Sequence, residues 1–249
     1  MGNRSLLRGL VIGVLAAGII SALGASAGAA ETAPLRLLVV TGGHDYPTSF
    51  YTLFEEPGEF HWDHAISNHQ AFRSDLREKY DVLVLYDMST EISEAEKKHL
   101  VDFLESGKGM VVLHHAILDY PQWEWWWRDV VGGKYLSNPE GGMPASTYLH
   151  DQEIEVEPAL KHPILTGIER MRLVDETYKG MWISSKVTPL LKTQNPTSDP
   201  VIAWISPYQK SRVVYIQLGH GEPAHRNPGY RRLVHNAILW AGRTPVPAR

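Results

Sequence analysis

Three short apolar runs constrain this chain more tightly than any other feature: Leu35–Val40 (LRLLVV), Asp81–Tyr86 (DVLVLY) and Gly109–His114 (GMVVLH). Each is nearly continuous rather than alternating, and the first is closed by Thr41-Gly42-Gly43. A strand that is apolar on both faces belongs at the centre of a parallel sheet covered by helices. Parallel neighbours need a crossover, and the segment between the second and third runs provides one. Ser93 is placed as an N-cap with Glu96 completing a capping box; Leu100, Phe103 and Leu104 share one face, and Gly107 closes the helix. Shorter helices are expected over Ser49–Glu55 and Gln70–Lys79.

The pattern changes after Ser146. Gln152–Val156 (QEIEV) alternates like a half-exposed strand. Pro200–Ile205 and Ser211–Leu218, separated by Ser206-Pro207-Tyr208-Gln209-Lys210, read as a hairpin. Leu233, Ala237 and Trp240 stand at helical spacing in the closing segment Tyr230–Trp240. The expected fold is a single α/β domain over residues 31–249, a three-layer, open, mostly parallel sheet with an antiparallel extension.

Ahead of that domain, Arg4 and Arg8 precede an apolar stretch from Gly9 to Leu23 and a small-residue segment from Ala25 to Ala30. This is the order of a secretory signal peptide, residues 1–30, with cleavage after Ala29 or Ala30. The alternative, an uncleaved anchor, is disfavoured because the apolar core falls short of the roughly 20 residues that span a bilayer. The mature protein is expected to be periplasmic or extracellular, without stable membrane insertion.

Composition narrows the chemistry. With 24 Lys+Arg against 28 Asp+Glu, the formal charge of -4 argues against a nucleic-acid partner. The absence of Cys excludes disulfides, thiolate nucleophiles, Cys-ligated zinc and Cys-bound iron–sulfur clusters. The 12 His and the carboxylates are left to do polar chemistry.

In an open parallel sheet, ligands bind outside the carboxyl ends of the strands. That rule selects His44 after the first run, His114 and His115 after the third, and His220 after the Ser211–Leu218 strand. Asp175-Glu176-Thr177-Tyr178 offers the carboxylate for the same edge, through Glu176. The candidate catalytic set is therefore His44, His114, His115, Glu176 and His220. Expected substrate contacts are Gly43, Asp45 and Tyr46 beside His44, Tyr178 beside Glu176, and Trp123 and Trp127. Those two tryptophans, at i and i+4 on a helix face, are expected to pack together as a platform for a sugar. His61, His64, His69, His99 and His235 are read as structural or exposed, and His162-Pro163 as the start of a turn.

Seven stretches carry a family resemblance: Val40–Asp45 (VTGGHD), Gly109–Ala116 (GMVVLHHA), Trp127–Gly133 (WRDVVGG), His162–Ile164 (HPI), Asp175–Tyr178 (DETY), Leu218–His220 (LGH) and Asn236–Ala241 (NAILWA). In this order, from about Leu35 to Ala241, they resemble the trehalose-utilisation (ThuA-like) family. The resemblance implies a flavodoxin-like fold similar to class I glutamine amidotransferases, and a role in bacterial sugar catabolism on oxidised (3-keto) glycosides. Those amidotransferases carry a nucleophilic Cys at the strand-to-helix elbow, where this chain has Leu113-His114-His115-Ala116. With no Cys, glutamine hydrolysis through a thioester is excluded, and imidazole is left to act as base or metal ligand.

The expected function is that of an exported enzyme acting on a glycoside or 3-keto-glycoside by His/Glu acid–base chemistry. A variant places a divalent metal, zinc or manganese, on His44, His115, Glu176 and His220. The alternative is a carbohydrate-binding protein without catalysis. Oligomeric state is left open.

Overall fold

The computed structural model describes residues 1–2, 33–55 and 58–247, so the expected export segment lies almost wholly outside the described residues. No helix among the described residues is long and apolar enough to cross a membrane. From Ala33 onward the chain forms one compact unit.

The strands are β1 (Leu35–Gly42), β2 (Phe60–Ala65), β3 (Val82–Asp87), β4 (Gly109–Leu113), β5 (Gly133–Lys134), β6 (Thr147–Pro158), β7 (Met171–Lys179), β8 (Trp182–Ile183), β9 (Thr188–Thr193), β10 (Val201–Ile205) and β11 (Val213–Ile216). Nine of them form one sheet in the order β2-β1-β3-β4-β11-β10-β9-β6-β7, while β5 and β8 pair separately. The first five in that order run parallel, and the remainder is antiparallel. This is the flavodoxin-like arrangement, whose order reverses between β1 and β3.

The three apolar runs become β1, β3 and β4, and every residue of β3 and β4 is buried. Alternate side chains serve two cores. Leu37, Val39, Val84 and Val111 pack towards Leu233, Val234 and Ala237 of α4 (Pro228–Ala241). Leu38, Leu83, Leu85 and Val112 pack towards Leu100, Phe103 and Leu104 of α2 (Glu94–Glu105). Burying each such side chain is worth about 1.5–3 kcal/mol, which holds the three layers together. The capping box at Ser93 forms as expected, Glu96 accepting from the Ser93 backbone N–H at 2.8 Å.

Three expectations change. The helix expected over Gln70–Lys79 is instead α1 (Asn68–Phe72), because Asp75 Oδ1 accepts the Arg77 N–H at 3.0 Å and holds the chain in a local turn. Phe60–Ala65, where no strand was expected, is the edge strand β2, with Phe60 and Ala65 buried and His61 and Asp63 exposed. Trp125–Val131 is a π-helix, so the expected pairing of Trp123 with Trp127 does not form. Trp123 stacks with Trp126 at 6.1 Å, while Trp127 turns to Trp182 at 5.1 Å.

Beneath the carboxyl edge, two buried carboxyls brace the segment that follows β4. Asp87, at the end of β3, accepts from Ser89 Oγ at 2.6 Å, and Asp119 accepts the Ser89 backbone N–H at 2.6 Å. Asp87 Oδ1 and Asp119 Oδ2 are both buried without a hydrogen-bond partner, and the Asp87 charge acts on Asp119. Burial pushes Asp87 up to about 6, and burial with the neighbouring Asp87 charge pushes Asp119 well above the carboxylate range.

Candidate functional site

β4 passes without a loop into a short 3-10 turn, His114–Leu118. At this elbow His114 takes φ +50, a left-handed conformation that costs a side-chain-bearing residue about 1–2 kcal/mol. Bonds on both sides hold it there. His114 Nδ1–H donates to the Gln217 carbonyl at 2.6 Å, and the His114 carbonyl accepts from Tyr215 Oη at 3.2 Å. With Nδ1 committed as donor, Nε2 carries the lone pair. It accepts from Tyr178 Oη at 3.0 Å and lies 3.1 Å from His220 Nδ1.

His115 is also buried. Its Nε2–H donates to the Tyr86 carbonyl at 3.1 Å, leaving Nδ1 as a buried lone pair without a partner. Burial, followed by the neighbouring His44, pushes its pKa down to about 3, so it is neutral. The His44 ring stacks over it with centroids 4.6 Å apart. His44 reaches this position through Gly42 and Gly43, at φ +112 and +71. A Cβ on Gly43 would stand 2.2 Å from the Met88 carbonyl oxygen, so only glycine fits.

The carboxylate arrives from the far end of the sheet. The antiparallel strands bring β7 back beside the carboxyl end of β11. There the buried Asp175 accepts the backbone N–H groups of Gly219 at 2.7 Å and of His220 at 2.9 Å. Its neighbour Glu176, also buried, then places Oε2 at 2.9 Å from His220 Nδ1 and 4.0 Å from His114 Nε2. The hydrogen bond to Glu176 raises the His220 pKa, whereas burial holds His114 well below its ordinary value. The result is a hydrogen-bonded His220–Glu176 pair beside a neutral imidazole. One ligand atom from each of His114, Glu176 and His220 fits within a 4.8 Å group, a grouping able to hold a metal ion.

The structure thus brings together His44, His114, His115, Glu176 and His220, with Tyr178 stacked on His114 at 5.0 Å. Gly43 and Asp45 are exposed beside His44, whose Nδ1–H donates to the Asp45 carbonyl at 2.6 Å. Tyr46 is half-buried, its hydroxyl bonded to Thr41 Oγ1 at 2.9 Å and Tyr51 Oη at 2.6 Å. Trp127 belongs to the core with Lys134 Nζ over its ring at 4.7 Å, and Trp123 packs against that core half-buried. Neither tryptophan makes a ring contact with the histidine cluster among the described residues. Of the four metal candidates, His44 and His115 fall outside the compact group, and His114 joins it.

Two contributors escaped the sequence reading. Asp175 anchors the Gly219-His220 turn rather than facing a ligand. His150, from β6, places Nδ1 at 2.9 Å from Glu176 Oε2. His150 and His220 therefore meet at the one carboxylate of Glu176.

The family model for ThuA, trehalose utilisation, matches residues 36–241. The chain belongs to the ThuA family. Solved structures agree at the level of fold. A ThuA-like protein from Parabacteroides merdae is 17% identical with a TM-score of 0.74, covering 86% of this chain and 92% of that one. A ThuA-like protein from Bacteroides uniformis is 19% identical with a TM-score of 0.65, covering 84% and 92%. The fold also recurs within a β-galactosidase from Rahnella sp. R3, at 13% identity and a TM-score of 0.58, over 84% of this chain and 31% of that one. No curated protein matches. Membership of the ThuA family ties the chain to carbohydrate utilisation.

Proposed function

We propose that this ThuA-family protein is an exported enzyme that acts on an oxidised (3-keto) glycoside by proton abstraction beside the carbonyl. The observation that carries the reading is the Glu176–His220 pair set against the neutral His114, with the unpartnered Nδ1 of His115 nearby. Glu176 is the base. It takes the proton from the carbon next to the carbonyl, and the C–H electron pair becomes the enolate. His220, its protonated form favoured by the bond to Glu176, offers its Nε2–H to the developing enolate oxygen. His115 Nδ1 accepts a sugar hydroxyl. Because the carbon bearing the aglycone lies β to a 3-keto group, the enolate collapses with cleavage of the C–O bond, and the departing aglycone oxygen takes the proton held on Glu176 and leaves as the alcohol. Return of the proton to a different carbon gives an isomer instead. Export rests on the basic, apolar and small-residue order of the first 30 residues.

A metal-assisted version is favoured by one feature. His114 Nδ1–H is tied to the Gln217 carbonyl, as the outer nitrogen of a metal-bound imidazole commonly is. His114, Glu176 and His220 would hold the ion, and zinc or manganese there would polarise the sugar carbonyl as a Lewis acid.

The test is turnover of a panel of glycosides and their 3-keto derivatives by protein purified without an affinity tag, with and without added divalent metal. Removing an acid–base group costs about 10²–10⁴-fold in rate, so Glu176→Gln is expected to lose at least about 100-fold. Retention of rate within twofold in that variant would overturn the assignment, and calorimetric binding without turnover would favour a carbohydrate-binding protein.

A further inference from the structure

β6 and β7 pair directly at Leu149↔Thr177 and again at Gln152↔Asp175. Between those pairs β6 has two residues, His150 and Asp151, and β7 has only Glu176. This two-against-one count is a β-bulge, a feature that re-aims side chains and recurs beside functional sites. Asp151 absorbs the extra residue at φ +54. The bulge swings the His150 ring onto Glu176 and against His220, with ring centroids 4.8 Å apart. Tyr148 stands on the outer side of His150, edge-on at 5.2 Å. It is 54% exposed, although its cross-strand partner Tyr178 is buried against His114. Three rings therefore lead outward from the carboxylate: His220, His150 and Tyr148.

We propose that the bulged segment of β6 forms a second sugar subsite, in which Tyr148 stacks on the apolar face of the pyranose ring next to the one held at Glu176. This inference rests on the sugar reading of the Glu176 cluster. A sugar touching Glu176 and His220 is separated from Tyr148 by the His150 ring, so the aromatic face is within reach of the neighbouring sugar instead. A phenol ring offers a flat apolar surface with little conformational entropy to lose, which suits the C–H face of a pyranose. The preferred ligand is then a disaccharide rather than a monosaccharide glycoside.

The experiment is calorimetric titration of the full chain and its Tyr148→Ala and Tyr148→Phe variants. The probes are trehalose and methyl α-glucopyranoside, each as the parent sugar and as its 3-keto derivative. Tyr148→Ala is expected to weaken the disaccharide about tenfold while leaving the monosaccharide within twofold, and Tyr148→Phe is expected to retain both affinities. Since Tyr148 is exposed, its replacement leaves the core intact, which circular dichroism checks. Equal weakening of both sugars, or no weakening of either, overturns the subsite while leaving the Glu176 site standing. Absence of binding to the unsubstituted protein overturns both.

Discussion

Replacing Asp119 by Asn should make the protein more stable, and increasingly so as pH rises. In the native fold Asp87 and Asp119 are two interacting buried carboxyls, and Asp87 Oδ1 and Asp119 Oδ2 have no hydrogen-bond partner. The carboxamide introduced by Asp119→Asn keeps an oxygen to accept the Ser89 N–H and removes a second buried group that would otherwise have to ionise. The magnitude follows from the shift. Raising Asp87 from 3.8 to about 6 corresponds to about 3 kcal/mol favouring its protonated form in the folded state. Because the folded pKa is the higher one, this stability is fully present below about pH 4 and is lost as pH rises through about 6. Asp119, shifted further in the same direction, extends the loss to higher pH. Urea denaturation midpoints at pH 4, 5, 6, 7 and 8 are the assay. The variant, which lacks the most strongly raised carboxyl, is expected to match the parent near pH 4 and to gain on it progressively as pH rises to 8. A variant that is less stable at pH 8, or whose difference from the parent does not change with pH, would refute the burial penalty on Asp119.

Two further predictions concern the scaffold of the site. Gly43→Ala combines a left-handed φ with a 2.2 Å approach to the Met88 carbonyl, and it should cost about 2 kcal/mol or more by thermal or urea unfolding. A loss under about 0.5 kcal/mol would show that the turn can relax. Asp175→Ala strips the acceptor from the backbone N–H groups of Glu176, Gly219 and His220, and at about 1–3 kcal/mol for each buried donor it should destabilise by at least about 3 kcal/mol. It should also release His220 from Glu176, visible as a His220 imidazole pKa falling back towards the ordinary value in an NMR titration; an unmoved pKa would show that the turn holds without its anchor.

Much of the scaffold was legible because its signals are local. The continuous apolar runs, the Ser93–Glu96 capping box and the hairpin of β10 and β11 each depend on a few consecutive residues. The strand-end rule then located His44, His114, His115 and His220 without any contact being known. Where reading failed, a non-local or competing interaction decided the outcome. β2 was hidden because an edge strand needs only alternate apolar positions, and Asp75 cut short the helix expected at Gln70. The tryptophans changed partners because a π-helix shifts which residues align. His150 was invisible because the Asp151 bulge breaks the two-residue alternation by which a strand's faces are counted.

The sequence by itself determined a parallel α/β sheet, since runs that are apolar on both faces have no other stable home in water. It determined that four imidazoles gather at one edge of that sheet, and that no thiol takes part. Only the tertiary structure decided which imidazole meets the carboxylate. The backbone inversion at His114 turns that ring, and not His115, towards His220 and Glu176. The curl of five antiparallel-linked strands carries Glu176 to the far side of β11. Such a curl accumulates from twist and bulges over many strands, and no local run of residues encodes its sum.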